Sequence, residues 1–446
     1  MLTDYDAPAA PPQQWSWKKI LLGLFGLLTA FLIAILAYDT KLEPYDDLLP
    51  SRTTVPDAET NGYLFLRDRW DKLPELDKKE ENTLNDMVSG KGSWDGVLVA
   101  KLRSGRETAA SDLKAALALP FYLTPPILTI RDPELSLSSS INRPVRYLAM
   151  EVIALARADD PEAALSLISD LHTLATRHVQ GSGSLISLLV GITMHSTVAK
   201  TANELLELGK LNSDHLAILA GLWKDDLPAV QSWQEAMRSE AAFGRDAILT
   251  VADMRPGWED LAQPKISRLL FKRNRTLNRN NQKIRHVSRI AFQTFPSQSA
   301  AESAGWGEIQ DERSKLKRTL DLNYAGNKLT EGDDSFGRML GGITNKMLFE
   351  PRAMRTKIAL HRWRLSHPDR WPVSLEELVP NLLTEVPKDP FNGEPLLWDP
   401  VAGIITSVGS DWQAYPPKPG QPSLWFSMDH DAPMLPVVRP PGSPPH

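Results

Sequence analysis

The chain of 446 residues contains no cysteine, and that absence excludes several classes of protein at once. A disulfide scaffold, a zinc or iron–sulfur site with cysteine ligands and an enzyme with a cysteine nucleophile all need residues that are missing here. The chain also lacks a large excess of either charge, since its net charge is −5 at neutral pH. A chain built to coat nucleic acid would carry a strong positive excess. We therefore expect no nucleic-acid partner.

Familiar catalytic patterns are missing as well. The sequence contains no HExxH zinc motif, no GxxxxGK[ST] phosphate loop and no GxGxxG dinucleotide loop. The GSGS run at residues 181–184 predicts a turn and not the GxSxG elbow of a hydrolase, because no strand precedes it. His172 and His178 are six residues apart, as are His361 and His367, so neither pair shares a helical face. We predict no catalytic residue, no cofactor and no metal ligand.

The chain does have one long uncharged run near its start. Ile20–Tyr38 contains nineteen residues without a charge, enough helix to cross a hydrocarbon core of about 30 Å. Trp15 and Trp17 precede it, as interfacial aromatic residues do. Two lysines stand before the run and acidic residues follow it, so the positive-inside rule places residues 1–19 in the cytoplasm and residues 39–446 outside. This predicts a single-pass protein of the bacterial inner membrane, with a transmembrane helix at 20–38.

Two other interpretations of this run remain open. A cleaved signal peptide usually has an apolar core of about 7–15 residues and a small-x-small cleavage site. This run is longer and ends in Ala37-Tyr38-Asp39-Thr40, which is a poor site. A buried helix of a soluble protein fits less well, because the run has no polar face to meet water. An uncleaved anchor is therefore our expectation.

Helical patterns dominate residues 58–340, after a linker at 39–57 that is rich in proline and acidic residues. Asp160 is a good N-cap and Pro161 suits the first position of a helix. The short turns predict an antiparallel bundle or a short solenoid, in which the apolar stretch Leu185–Met194 is a buried core helix. The predicted helices start near Arg143, Pro161, Leu185, Leu211 and Pro228.

Residues 261–301 contain nine cations and no acidic residue, which leaves −14 on the rest of the chain. One interpretation is a solvated helix face that pairs with this acidic remainder. Another is contact with anionic phospholipid head groups, and a third, nucleic acid, is disfavoured by the predicted topology. The cations are Lys265, Arg268, Lys272, Arg273, Arg275, Arg279, Lys283, Arg285 and Arg289.

The most specific pattern lies at residues 345–411. Ser374 and Glu377 predict a capping box, and residues 397–398 and 404–406 predict a pair of strands. The motifs are, in order, a helix to about Ser366, Trp371-Pro372-Val373-Ser374-Leu375, Val386-Pro387-Lys388-Asp389-Pro390 and Ser407-Val408-Gly409-Ser410-Asp411. This order resembles the C-terminal segment of type II secretion pseudopilins, which implies a small α+β module.

The resemblance is confined to this segment. The run at 20–38 lacks the glutamate of a pseudopilin helix, so a processed pilus subunit is not expected. The major pseudopilin binds calcium in an acidic loop after its last motif. Asp411 matches the aspartate of that motif, and Asp429 and Asp431 are further candidates; the alternative is that all three are solvated carboxylates. The exported layout, including residues 56–63, also resembles uncharacterised single-span, mostly helical bacterial envelope proteins, and that resemblance implies no activity.

Three other sets of residues have a functional and a plain interpretation. The HPD tripeptide at 367–369 matches the J-domain motif or is a turn that ends a helix. A second set, Arg238, Glu240 and Arg245, stands near aromatic residues and either lines a pocket or lies on an amphipathic helix. The third set is two acidic pairs, Asp225-Asp226 and Asp333-Asp334, which we expect to be solvated.

The expected fold is mainly α, with an N-terminal transmembrane helix, an antiparallel helical bundle or short solenoid, a small C-terminal α+β module and a Pro-rich tail at 412–446. We hypothesise a non-enzymatic envelope protein, held by inner membrane lipid, that presents a groove to a protein partner. One alternative is a membrane-anchored hydrolase, and another is an accessory factor of a pilus-like or type II secretion system. Carboxylates, histidine or serine meeting in a buried cleft would favour the enzyme.

Overall fold

The computed structural model describes residues 24–31, 38–90, 92–137, 140–224, 229–253, 271–290, 335–408 and 434–436. These residues are mainly helical, as predicted. The helices are α1 (Gly62–Trp70), α2 (Lys78–Val88), α3 (Gly96–Lys101), α4 (Arg103–Leu117), α5 (Glu134–Leu137), α6 (Asn142–Arg157), α7 (Pro161–Gln180), α8 (Leu185–Glu207), α9 (Ser213–Leu222), α10 (Ala229–Asp253), α11 (Arg273–Ile290) and α12 (Ser335–Ser366). The strands are β1 (Leu397–Asp399), β2 (Ile404–Thr406) and β3 (Met434–Pro436), and short 3₁₀ turns lie at Asp46–Leu48 and Leu375–Leu378.

The chain divides into two compact units. Among the described residues, the smaller unit contains 24–31, 38–43, 248–253 and 271–279, and the larger unit contains the others. Residues 24–31, inside the predicted span, are helical, and their large apolar side chains are exposed. The transmembrane helix as a whole stays a prediction.

The helices α6, α7 and α8 follow one another in the chain and pack against one another in the larger unit. Asp160 caps α7 through its side chain, and Pro161 occupies the first turn, as predicted. Ser184 caps α8 in the same way. Gly209 follows the end of α8 at a φ of +66°, a conformation that favours glycine. Local signals in the sequence therefore set the ends of these helices.

Within the described ranges, α8 is long and apolar enough to cross a membrane, by length and composition. However, 61% of its apolar window is buried inside the protein. Met194, Val198 and Leu205 on this helix belong to the same hydrophobic cluster as Leu148 on α6 and Leu171 on α7. The helix α8 is therefore a core helix of the larger unit, as its length and sequence predicted.

The C-terminal segment has the local structure that its motifs predict. The carboxylate of Glu377 accepts hydrogen bonds from the amides of Val373 at 2.6 Å and Ser374 at 3.4 Å, which closes the capping box. The strands β1 and β2 pair antiparallel, with Trp398 opposite Ile405. A third strand, β3, comes from the Pro-rich tail and pairs antiparallel with β2. This strand was not predicted from the sequence.

The C-terminal segment and the helical region share one hydrophobic cluster. Met354 and Leu360 on α12, Leu378 in the 3₁₀ turn and Ile405 on β2 are buried in it together with residues of α6 and α7. The helix α12 also packs against α8 and α9. The small sheet is therefore built onto the helical core through α12.

Candidate functional site

A groove of about 910 Å³ opens between α1 and α4 in the larger unit. One helix face forms each wall, because the lining residues of α1 and α4 recur at spacings of three and four. Ser104, Gly105 and Thr108 supply small side chains on α4, which leaves the space open. The lining is Ala58, Glu59, Phe65, Asp68, Arg69, Lys72, Leu73, Pro74, Ser104, Gly105, Thr108, Asp112 and Leu119.

Two of the five charged side chains in the lining are held by each other across the groove. Arg69 on α1 pairs with Asp112 on α4 at 3.3 Å. The guanidinium carbon of Arg69 also lies 4.3 Å from the centroid of the Phe65 ring, a cation–π contact. Asp68 pairs with the neighbouring Arg67 at 2.9 Å. These three charges are therefore compensated within the protein.

The remaining two charges stand at opposite ends of α1. In the part of the chain that the structure describes, the side chains of Glu59 and Lys72 form no ion pair. Glu59 precedes α1 and Lys72 follows it, so the nine residues of the helix, about 13 Å long, separate the two. The lining also includes the apolar side chains of Phe65, Leu73 and Pro74. The lining of the groove thus combines apolar side chains with an acid before α1 and a base after it that form no ion pair among the described residues.

Asn61 sets the position of the α1 wall. Its side-chain oxygen accepts hydrogen bonds from the amides of Tyr63 at 3.2 Å and Leu123 at 3.0 Å, and its amide group donates to the carbonyl of Leu123 at 2.8 Å. The amide of Gly62 donates to the carbonyl of Phe121 at 2.9 Å. One asparagine therefore caps α1 and joins it to the segment that follows α4. This explains part of the distinctive sequence at residues 56–63.

Tyr63, Tyr122 and His178 form a buried cluster of rings in the core. The Tyr122 hydroxyl lies 3.2 Å from Nδ1 of His178, and the Tyr63 hydroxyl donates to Glu134 at 2.9 Å. Burial lowers the pKa of His178 to about 4 and raises the pKa of both tyrosines. His178 is therefore neutral at neutral pH. None of these residues lines the groove, so the cluster acts as a polar part of the core.

His172 and His195 meet between α7 and α8. Their ring centroids are 5.3 Å apart and perpendicular, and His172 makes a similar contact with Trp223 at 5.2 Å. Burial lowers the pKa of His172 to about 4 and lowers that of His195 as well. No group of three or more histidine, aspartate or glutamate side chains in the described ranges could hold a metal ion. The histidines in the core thus pack as neutral rings.

The GSGS run forms a turn that lies buried between α7 and α8. A Cβ atom on Gly181 would overlap the carbonyl oxygen of Tyr122, and one on Gly183 would overlap that of Thr124. Ser182 donates to the carbonyl of His178 at 2.7 Å, and Ser184 caps α8. Both serines are buried and bonded to the helices. At this run two backbone segments pack closely and both serine side chains are already bonded, so the run is not a nucleophile elbow.

The HPD tripeptide ends α12, which stops at Ser366. The ring of His367 stacks on Trp363 with centroids 4.0 Å apart, and its amide donates to the carbonyl of Trp363 at 2.9 Å. His361 touches the edge of Trp371. His367 thus packs on α12 and His361 packs on the segment that follows it, and the tripeptide forms the turn that one interpretation of HPD predicted.

The two arginines of the charged set on α10 contact the segment at residues 44–47. Arg238 donates to the carbonyl of Asp47 at 3.3 Å, and Arg245 lies over the Tyr45 ring at 4.4 Å. Burial raises the pKa of Glu240. None of the three lines the groove. The remaining candidates lie outside the described residues: Asp225-Asp226, Asp333-Asp334, Asp411, Asp429 and Asp431.

The chain has no match among protein families, curated proteins or solved structures. The groove and the sequence are therefore the basis on which a role can be argued.

Proposed function

We propose that this protein is a membrane-anchored envelope protein that holds a helical segment of a partner protein in the groove between α1 and α4. The observation that carries the proposal is the pair of charges in the groove lining, Glu59 before α1 and Lys72 after it, that form no ion pair among the described residues. A partner helix with a basic residue near Glu59 and an acidic residue near Lys72 complements both. Charges placed in this way fix the direction and register of a ligand more than its affinity.

The dimensions of the groove suit a short helix. Its volume of about 910 Å³ lies at the upper end of the usual range for ligand sites. The α1 wall is about 13 Å long, or two to three turns of helix. Helices that bind in grooves insert apolar residues at spacings of three, four and seven. Phe65, Leu73, Pro74 and Leu119 provide the apolar surface that such residues would cover.

The same residues argue against the hydrolase alternative. A serine or threonine nucleophile needs a base within hydrogen-bond reach. Ser104 and Thr108 line the groove, but its described lining holds no histidine, and Asp112 is engaged by Arg69. The buried histidines are neutral and packed in the core. The arrangement therefore supports binding better than hydrolysis.

The anchor and the compartment are supported by the sequence. The run Ile20–Tyr38 is uncharged and has lysines on one side and acidic residues on the other. Phe25 and Leu27, within its described part, are 69% and 70% exposed, which suits side chains that face lipid. The body is then held at the outer surface of the bacterial inner membrane, where a partner of the cell envelope can reach the groove.

A photo-crosslinking residue at Thr108, in the full-length chain in cells, tests the proposal. We expect a discrete adduct that disappears when the two groove charges are reversed in E59K/K72E. The matched control E385K/K388E reverses an exposed acid and base elsewhere and should retain the adduct. An adduct that survives E59K/K72E unchanged would overturn the proposal, because its charge complementarity would then play no part.

A further inference from the structure

The first residue after the predicted span caps the start of the helix α11, and both belong to the smaller unit. The carboxylate of Asp39 accepts hydrogen bonds from the amides of Asn274 at 2.8 Å and Arg275 at 3.2 Å. A helix start has unpaired amides and a partial positive charge, so a carboxylate there is stabilised on both counts. Asp39 therefore ties the end of the predicted span directly to the start of α11.

Further hydrogen bonds continue this connection along the chain. The side chain of Asn274 donates to the carbonyl of Thr40 at 2.9 Å. The side chain of Asn278 donates to the carbonyl of Lys41 at 2.9 Å and accepts from the amide of Glu43 at 2.9 Å. Residues 39–43 thus follow the first two turns of α11. These hydrogen bonds join backbone groups of residues 40–43 to the two asparagine side chains.

Three cationic side chains are exposed at this junction: Lys41, Arg273 and Arg275. They belong to the basic segment or adjoin it, and residues 261–301 contain no acidic residue. The N-terminal amides of α11 are already occupied by Asp39, so an anion that binds here would meet the side chains. Their position next to the end of the span distinguishes them from cations elsewhere in the protein.

We propose that the first turn of α11, together with Lys41, binds the anionic head groups of the membrane that holds the anchor. The attraction of an anionic membrane for cations falls off over a Debye length, about 8 Å at physiological salt. The Arg275 amide is bonded to the residue that follows the predicted span, so Arg275 itself lies next to the end of that span. This inference rests on the anchor in the proposed function.

Further along α11, the structure agrees with the other interpretation of the basic segment, which is pairing with acidic residues of the rest of the chain. Arg285 makes two hydrogen bonds to the carboxylate of Asp47, at 2.7 and 2.8 Å, and Lys283 lowers the pKa of Glu240. Arg285 is therefore paired with an acidic residue outside the segment, and Lys283 lies near enough to Glu240 to influence it. The segment therefore has two roles, with lipid contact assigned to Arg273 and Arg275 and internal pairing assigned to Arg285.

The absence of native cysteine allows a direct test on the full-length chain. A fluorophore on Glu43→Cys is reconstituted in vesicles that carry a quencher on a lipid head group, made of phosphatidylcholine with or without phosphatidylglycerol. We expect stronger quenching with phosphatidylglycerol and loss of that difference in R273Q/R275Q, since each cation changes partitioning about fivefold. The conservative variant R273K/R275K should keep the difference. So should R103Q/R131Q, which removes two exposed arginines elsewhere.

Flotation and quenching test the anchor and the lipid-binding surface separately. If the chain does not float with vesicles after an alkaline wash, the anchor and the lipid surface are both wrong. If it floats but quenching is the same with and without phosphatidylglycerol, the lipid surface is wrong and the anchor stands. Quenching that responds equally to R273Q/R275Q and R103Q/R131Q would also overturn the lipid surface.

Discussion

The buried ammonium group of Lys357 on α12 donates a hydrogen bond of 2.7 Å to the carboxylate of Glu207 on α8. The Lys357 side chain has no exposed surface, and Asn203 accepts a second hydrogen bond from it. Burial lowers the pKa of Lys357, and Glu207 and Glu204 oppose that shift. An ion pair thus joins the helical core to the helix that leads into the C-terminal sheet.

Replacing Lys357 by methionine leaves the carboxylate of Glu207 partly buried without its partner. We expect K357M to lower the free energy of unfolding by about 3–5 kcal/mol, as the loss of one member of a buried pair does. Urea unfolding of the full-length chain, followed by tryptophan fluorescence, measures this. The exposed pair Lys101–Glu80 provides the control, and K101M should cost less than about 1 kcal/mol. Equal effects of the two variants would show that burial of the pair does not matter.

We expect Glu350 on α12 to make the stability depend on pH. Burial raises the pKa of its carboxyl group to about 7, although Lys200 and Ser196 on α8 lower it. The folded state then keeps a proton that the unfolded chain has lost, so the stabilising contribution is present below about pH 4.5 and is lost as pH rises through about 7. The loss amounts to at most about 3 kcal/mol.

The variant E350Q removes this titration. We expect urea midpoints of the wild type to fall between about pH 5 and about pH 8, and those of E350Q to fall less. The exposed Glu107 gives the matched control, E107Q, which should follow the wild type. A pH dependence that is the same in E350Q and the wild type contradicts the assignment.

The glycines of the GSGS turn should resist substitution. A methyl group on Gly181 or Gly183 meets a carbonyl oxygen of residues 122–124, so the two backbone segments must separate. We expect G181A and G183A each to cost about 1–3 kcal/mol, as overpacking does. Gly221 on α9 has open space where the methyl would lie, and G221A should be neutral or stabilising. Thermal denaturation of the three variants measures these effects. Equal changes in stability in all three would contradict the close backbone packing of the turn.

Asp389 holds the loop before the C-terminal hairpin. Its buried carboxylate accepts hydrogen bonds from the amides of Phe391 at 2.9 Å and Val408 at 2.8 Å, and from the Ser407 hydroxyl at 2.8 Å. We expect D389A to destabilise the chain by about 3 kcal/mol, because buried donors lose their acceptor. D369A, in the exposed part of HPD, should change stability by less than about 0.5 kcal/mol. Limited proteolysis near residue 400 should therefore speed up in D389A and stay unchanged in D369A.

Features with local causes could be predicted from the sequence. Asp160 with Pro161, and Ser374 with Glu377, predicted helix starts that the structure confirms, because a cap and its amides lie within three residues. The β1–β2 hairpin was predicted for the same reason. Contacts between distant parts of the chain were not predicted. Asp39 caps a helix 235 residues away, and no periodicity reveals that partner.

The groove likewise combines local features, which the sequence shows, with contacts between distant residues, which it does not. The helical spacing of Ser104 and Thr108 is visible in the sequence, but nothing there indicates that α1 packs beside this face. Arg69 and Asp112 become a pair through the fold, which leaves Glu59 and Lys72 as the lining charges without an ion pair among the described residues. A site defined by which charges stay uncompensated cannot be read from a list of charged residues. The C-terminal resemblance, by contrast, rests on consecutive motifs and stays a prediction about relatedness.

The most direct test of the account is the accessibility of the groove in intact spheroplasts. Thr108→Cys is treated with a membrane-impermeant maleimide, in the wild-type background and together with E59K/K72E. A groove outside the cytoplasm that holds a partner helix predicts weak labelling in the wild-type background and strong labelling, without lysis, when the charges are reversed. Equal labelling in the two backgrounds, or labelling that requires lysis, would contradict the account.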